Sequence, residues 1–387
     1  SDVCSSDLVN ISVMDKENII AFAKEKNIDL VFVAPDDPLA AGVVDALNDA
    51  GIRAFGPVAK AAEIESSKVF SKNLMKKYNI PTAGYEVFSD PEKAIAYIEE
   101  QNKFPTVIKA DGLALGKGVI IAQSLEEAKD AVKEIMEDKK FGESGNNVVI
   151  EEFLTGPEVS VLAFTDGKTL KPMISSMDHK RALDGDKGLN TGGMGTISPN
   201  PYYTDDMAEV CMKTIFMPTV EAMNKEGRPF KGCLYFGLML TPDGPKVIEY
   251  NSRFGDPEAQ VVLTLLDSDL VDIVNAVIDE KLDQVDIKWS KDNAACIVMA
   301  SGGYPEAYKK GIEMDGFDEN GQVDGAVVFH AGTKFENGKF YTNGGRVIGV
   351  TAKGETLEKA LDNAYAAVEK ISFDGAHYRK DIGRTRK

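Results

Sequence analysis

At 387 residues the chain exceeds one ordinary core, so two or three domains are expected. A composition of 43% hydrophobic and 27% charged residues is that of an ordinary soluble globular protein, and the formal charge of −18 argues against a sequence-independent nucleic-acid binder, which needs a basic surface. No apolar run approaches the length that spans a bilayer, so neither a membrane nor a nucleic acid is expected as a partner. The four cysteines, Cys4, Cys211, Cys233 and Cys296, form no CxxC pair and the three histidines are equally dispersed. That gives neither a zinc site nor a disulfide framework; a reducing cytoplasm fits, with the last three cysteines as buried fillers.

Residues 1–8 carry no initiator Met and no apolar core of a leader, and read as a non-native scar. From Asp15 the pattern predicts a helix (16–26), a strand (29–34), a Pro-rich loop Pro35-Asp36-Asp37-Pro38, a helix (39–49) and a strand (52–55). Strands alternating with helices argue for a parallel α/β sheet, entered here at its later part, over residues 9–67. Helices at 59–65 and 67–78 lead into a second unit, 68–288. It begins with a helix (91–101) and a strand (106–110), then Asp111-Gly112-Leu113-Ala114-Leu115-Gly116-Lys117-Gly118 and a strand (119–122). Two strands joined by a Gly-rich loop make a phosphate flap, because glycines let backbone N–H groups approach phosphate oxygens while Lys109 and Lys117 neutralise them. The loop is not a Walker A motif: its spacing is one residue short and a strand follows it.

After a helix (125–139), the segment Val148-Val149-Ile150-Glu151-Glu152-Phe153-Leu154 reads as a strand. Its acidic and apolar ends can offer hydrogen bonds and a wall to an adenine, or make a plain core strand. The stretch 178–195 is dense first in charge and then in glycine, and a loop of that length is functional or disordered; the alternating signs favour function. His179 has no nucleophile to pair with and reads as a surface histidine. A helix (205–226) and a strand (232–240) follow, the latter turning through Thr241-Pro242-Asp243-Gly244-Pro245 into Val247-Ile248-Glu249-Tyr250-Asn251-Ser252-Arg253.

That last stretch is the most informative. Side chains two apart on a strand share a face, so Glu249, Asn251 and Arg253 are expected to project together. Two oxygen ligands beside a guanidinium suit a hard cation that is also held by phosphate oxygens. An idle polar face on an edge strand is the alternative. Helices at 258–266 and 270–280 precede a small α+β unit, 289–387, with strands at 294–300, 327–329, 339–342 and 346–351 and a closing helix at 357–371.

Lys109-Ala-Asp-Gly-Leu-Ala-Leu-Gly-Lys-Gly-Val119, Glu151-Glu-Phe-Leu154, Asp178-His-Lys-Arg181, Asn190-Thr-Gly-Gly-Met-Gly195 and Arg253-Phe-Gly-Asp-Pro-Glu258 occur in this order. Together they resemble the phosphoribosylamine–glycine ligase family of ATP-grasp enzymes, and the resemblance runs from about residue 9 to residue 383. It implies an α/β ATP-grasp fold with a partial N-terminal parallel α/β domain and a small C-terminal α+β domain. The implied reaction is ATP-dependent joining of glycine to 5-phosphoribosylamine in purine synthesis, in a cytoplasmic monomer using Mg²⁺ or Mn²⁺. By position, Glu249 and Asn251 would hold the metal. Lys68, Lys109, Gly116, Lys117 and Glu158 would bind nucleotide phosphates and ribose, and Glu151, Glu152, Phe153 and Leu154 would form the adenine hinge. Arg253, Asp178 and Lys180 would act on glycine and the acyl phosphate, with Asn190, Thr191, Gly192 and Gly193 shaping the substrate loop. The family's first strand and its Gly-Gly-Arg-Glu-His-Ala turn have no counterpart here, so an N-terminally truncated member is expected. Other ATP-grasp ligases, and a protein that binds ATP without turnover, are the rival readings.

Overall fold

The computed structural model describes residues 8–113 and 118–384. Gly116 and Lys117 therefore lie outside the described residues, as does all of the set-aside N-terminal stretch except Leu8. Near the N-terminus, Val31–Phe32 pairs in parallel with Ala54–Phe55 between short helices packed on Val33, Leu39, Val44 and Leu47. These strands are shorter than the pattern suggested, because among the described residues each has one partner and ladder bonds form only around Val31 and Val33. The expected loop at Pro35–Pro38 is instead the start of a helix, Asp36–Ala40. Its proline falls in the first turn, where no backbone N–H is missed, and Asp36 and Asp37 suit the positive end of the helix dipole. Gly42, at φ +82°, then breaks that helix from Val43–Asp49.

Two four-stranded antiparallel sheets follow. In the first, the order is Tyr85–Phe88, Val148–Glu152, Thr106–Ala110, Val119–Ala122. Helices Pro91–Gln101 and Leu125–Met136 cover it, burying Ile98, Ala128, Val132 and Ile135 against Ile108 and Ile150. In the second, the order is Gly244–Asn251, Gly232–Thr241, Glu158–Thr165, Leu170–Pro172. Its apolar face packs on Leu74, Met75, Ile215, Phe216 and Val220. The helix expected over 205–226 runs as Asp205–Cys211 and Met217–Lys225 joined by a π turn, Met212–Phe216. The wider turn accommodates Pro218, which can donate no backbone hydrogen bond.

The stretch 178–195, expected as a loop, is largely strand. Met177–Asp178 and Gly195–Ser198 join a five-stranded sheet with Asn293–Ala300, Arg346–Gly354 and Val327–His330, under helix Leu357–Val368. Between them, Arg181–Leu183 and Lys187–Asn190 form a hairpin. The C-terminal segment laces this hairpin: Gly185 N–H donates to Asp381 at 2.8 Å, Lys380 N–H to Asp184 at 2.8 Å, and Arg379 to Arg181 O at 3.1 Å. Cys211, Cys233 and Cys296 are free and buried, as expected. No helix among the described residues is long and apolar enough to cross a membrane.

Candidate functional site

The site is organised by the strand Gly244–Asn251. It pairs antiparallel with Gly232–Thr241, but the register skips at Ile248: Glu249 faces Gly237 and Val247 faces Leu238. The extra residue leaves Ile248 and Glu249 both half-buried. A Cβ on Gly237 would stand 3.2 Å from Glu249 Cγ, so glycine there leaves room above the carboxylate. Glu249, Gly237, Tyr235, Ser160, Glu158 and Lys180 line an open cleft. Burial pushes the Glu249 carboxyl up, but the positive charges of Lys180, Lys109, Lys68 and Arg253 outweigh it and hold the group below the usual range. Four cations thus act on one carboxylate.

Arg253 departs from expectation. The strand ends at Asn251, so Arg253 does not continue its face. Its guanidinium turns to Glu65, 3.1 Å away, and to Asp36 at 3.8 Å, and donates to Phe254 O at 3.0 Å. Glu65 also accepts from Ser252 N–H and Oγ–H at 2.7 and 2.8 Å. Its carboxyl is raised by burial, which Arg253 opposes without overcoming. Sequence reading missed Glu65; the signal was its place on the buried helical stripe of Ala61, Ala62 and Ile64.

Lys68 starts the helix Lys68–Lys77, which Ser67 caps through Phe70 N–H at 3.0 Å. Lys68 Nζ donates to Gly112 O at 2.7 Å, while Ser67 Oγ and Val69 N–H donate to Asp111 at 3.1 and 3.2 Å. The root of the Gly-rich loop is thus tied to this helix. Gly112 has φ +101°, and a Cβ there would meet Ser144 Oγ at 2.6 Å, so the loop needs glycine at its entry. Lys109 Nζ reaches across to Ile248 O at 3.2 Å and lies 3.0 Å from Glu151 Oε1. The Glu151 side chain points inward, 4% exposed, with Lys72 Nζ on its other oxygen at 2.9 Å. Glu152 points the other way, accepting from Gly84 N–H at 3.0 Å and from Lys246 at 3.3 Å; the Gly84 bond first, against burial, lowers its carboxyl. Phe153 is exposed and Leu154 half-buried.

On the opposite wall, Lys180 Nζ lies 3.5 Å from Glu158. Glu158's charge above all raises the lysine well above its ordinary value. Thr191 holds the Lys180 carbonyl twice, from its N–H and its Oγ–H, both at 2.8 Å, and Gly193 N–H donates back to Thr191 Oγ1 at 3.0 Å. Gly193, at φ +113°, packs so closely that a Cβ would stand 2.6 Å from Asp178 Oδ1 and 2.5 Å from Pro257 Cδ. Burial, and then the charge of Glu258, raises the Asp178 carboxyl. Glu258 accepts from Tyr235 OH at 3.1 Å and Ser160 Oγ at 3.3 Å, and burial raises it too. Asn190 is exposed on the far strand of the hairpin, and Gly192 O accepts from Arg346 at 2.8 Å. His179 is half-buried rather than on the surface. Its Nε2 accepts from Gly383 N–H at 3.1 Å, which leaves Nδ1–H to donate to Gly195 O at 3.2 Å, and burial lowers its pKa. A histidine occupied at both nitrogens serves the fold.

Two facing antiparallel sheets with a lysine-rich cleft and a Gly-rich flap root define the ATP-grasp class. Three family profiles match: the phosphoribosylglycinamide synthetase N domain over residues 3–65, its ATP-grasp (A) domain over 66–259 and its C domain over 294–385. The chain belongs to the phosphoribosylglycinamide synthetase family. It is 50% identical over 376 residues to the phosphoribosylamine–glycine ligase of Vibrio parahaemolyticus, covering 97% of this chain and 87% of that protein. It is also 50% identical over 383 residues to the human trifunctional purine biosynthetic protein adenosine-3, covering 98% of this chain and 38% of that longer protein. The crystal structure of the Thermotoga maritima phosphoribosylamine–glycine ligase superposes with a TM-score of 0.77 at 38% identity, over 86% of this chain and 82% of that one.

Proposed function

We propose that the chain joins glycine to 5-phosphoribosylamine with ATP, forming glycinamide ribonucleotide, ADP and phosphate in purine synthesis. The observation that carries this reading is the Glu249 carboxylate, which lines the cleft with Lys180 and is acted on by the charges of Lys109, Lys68 and Arg253. Such a set of cations suits a polyphosphate brought with a divalent cation, and an ATP-grasp fold uses both. Glu249 and Asn251, held two apart at the strand end beside the space left by Gly237, fit a hard cation that takes its other oxygens from phosphate and water. When bound, Mg²⁺ or Mn²⁺ supplies charge shielding between the phosphates.

Lys68, Lys109, Gly116 and Lys117 bind phosphate oxygens, Glu158 meets the ribose, and the segment Glu151, Glu152, Phe153, Leu154 borders the adenine. Arg253, Asp178 and Lys180 orient glycine so that its carboxylate oxygen attacks the γ-phosphorus. ADP departs and glycyl phosphate forms. The amine of phosphoribosylamine then attacks the acyl carbon, the C–N bond forms, and inorganic phosphate leaves with its proton balance met by solvent. Asn190, Thr191, Gly192 and Gly193 shape the wall on which this occurs. The residues work by positioning and charge neutralisation, so no protein nucleophile is required. We assign residues 9–67, 68–288 and 289–387 to three units, acting as a monomer on small molecules. ADP release measured with glycine and phosphoribosylamine omitted in turn tests the reading: turnover requires both, and release indifferent to either overturns it.

A further inference from the structure

Lys72 is a fully buried lysine, 2% exposed, that the proposed chemistry does not use. Its Nζ lies 2.9 Å from Glu151 Oε2 and donates to Thr82 Oγ1 at 2.8 Å; Thr82 Oγ1 in turn donates to Val247 O at 2.7 Å, on the strand that bears Glu249. Glu151 Oε1, 3.0 Å from Lys109 Nζ, meets no well-aligned donor among the described residues. We propose that Lys72 is a positioning residue for the nucleotide site: by sharing the single carboxylate of Glu151 with Lys109, it keeps that carboxylate from fully neutralising Lys109 toward an anionic phosphate ligand. The inference rests on the reading of Lys109 as a phosphate ligand.

Two ammonium groups flank a single carboxylate in a place where all three side chains are at most 5% exposed. A lone Lys109–Glu151 pair would be neutral and self-satisfied, and would offer a phosphate little. The third charge makes this group of three cationic by one, a surplus that acts on the Glu249 carboxylate and is available to an incoming anion. A lysine serving only to hold the helix Lys68–Lys77 on the sheet would, when replaced, cost stability and change the affinities for ligands with and without phosphates alike. Burial lowers Lys72 to about 8 even though Glu151 opposes the shift, so near neutral pH it keeps its proton.

The test is the Kd of the full chain for Mg-ATP and, by competition, for adenosine, which lacks phosphates. Lys72→Met is expected to weaken Mg-ATP by about tenfold and leave adenosine within about twofold. Lys72→Arg, which keeps the charge, is expected to hold Mg-ATP to within about threefold of the parent. An unchanged Mg-ATP Kd in Lys72→Met, parallel losses for both ligands, or a loss in Lys72→Arg as large as in Lys72→Met would overturn the proposal. If Lys72→Met does not fold, Lys72→Gln takes its place: a loss of about tenfold for Mg-ATP alone supports the charge account, and an unchanged Kd contradicts it. Lys109→Met separates the two layers. If it leaves Mg-ATP binding unaltered, the phosphate reading fails; if it weakens binding while Lys72→Met does not, only the role of Lys72 fails.

Discussion

Lys109 and Lys180 both face the cleft beside a carboxylate, Glu151 at 3.0 Å and Glu158 at 3.5 Å, yet the first pair is at most 5% exposed and the second 41% and 52% exposed. In the buried pair a third charge, Lys72, fixes the geometry and the surplus of positive charge. In the open pair water screens both partners, so the lysine can exchange its carboxylate for a ligand at little cost. The same two functional groups thus serve as a rigid anchor on one wall and as an exchangeable contact on the other. Burial, which the amino-acid letters do not state, makes the difference.

The contrast can be broken most sharply by stability. Glu151→Gln strands two buried ammonium groups and is expected to cost about 3–5 kcal/mol, whereas Glu158→Gln is expected to cost at most about 1 kcal/mol. Denaturant unfolding of the two variants checks this, and equal losses would erase the distinction. Activity separates the cleft floor from both walls. Glu249→Gln is expected to lower kcat by about a hundredfold or more with the unfolding midpoint little changed, because it removes a charge from an already polar strand end. Steady-state turnover near the parental rate would remove Glu249 from the metal role.

Gly193→Ala probes how the open wall is held. With φ +113° and Asp178 and Pro257 against the missing Cβ, the variant is expected to lose about 1–3 kcal/mol of stability and to raise the KM for glycine more than that for ATP. Calorimetric melting and paired KM values report the two effects. The smallest expected effect concerns pH. Lys72, facing Glu151, Lys109, Glu152, Thr82 and the Tyr85 ring, holds its proton below about 8 and loses it above. Mg-ATP affinity is therefore expected to fall by a few-fold between about pH 7 and about pH 9, and to fall less in Lys72→Arg. An identical pH profile in that variant would place the titration elsewhere.

Much of this was legible from local pattern. Helix 91–101 and strands 106–110, 119–122 and 339–342 carry their boundaries in capping residues, prolines and alternation, and the structure reproduces them. The antiparallel setting of Glu249 followed from the turn before it. The edge strand Tyr85–Phe88 was missed because four residues between prolines, with Glu86 among them, are too few to show a period. The stretch 178–195 looked like a loop because its charges and glycines hide a local hairpin, Arg181–Leu183 with Lys187–Asn190, and because Gly195–Ser198 takes its partner Asn293–Ala300 from far along the chain. The expected strand face of Glu249, Asn251 and Arg253 fails at its last member, since the pleat stops at Asn251 and Glu65 draws the guanidinium aside. Lys72 and Glu65 escaped notice because a charged residue on a helix reads as solvated until its partners from other elements are known.

The account's central claim is that glycine's carboxylate is activated on γ-phosphate in this cleft and then captured by an amine. The most direct measurement supplies glycine labelled with heavy oxygen in its carboxylate, with Mg-ATP and phosphoribosylamine, and follows the label by mass spectrometry. The account predicts one labelled oxygen in the inorganic phosphate for each glycinamide ribonucleotide formed, and none in ADP. Unlabelled phosphate accompanying the product would contradict it.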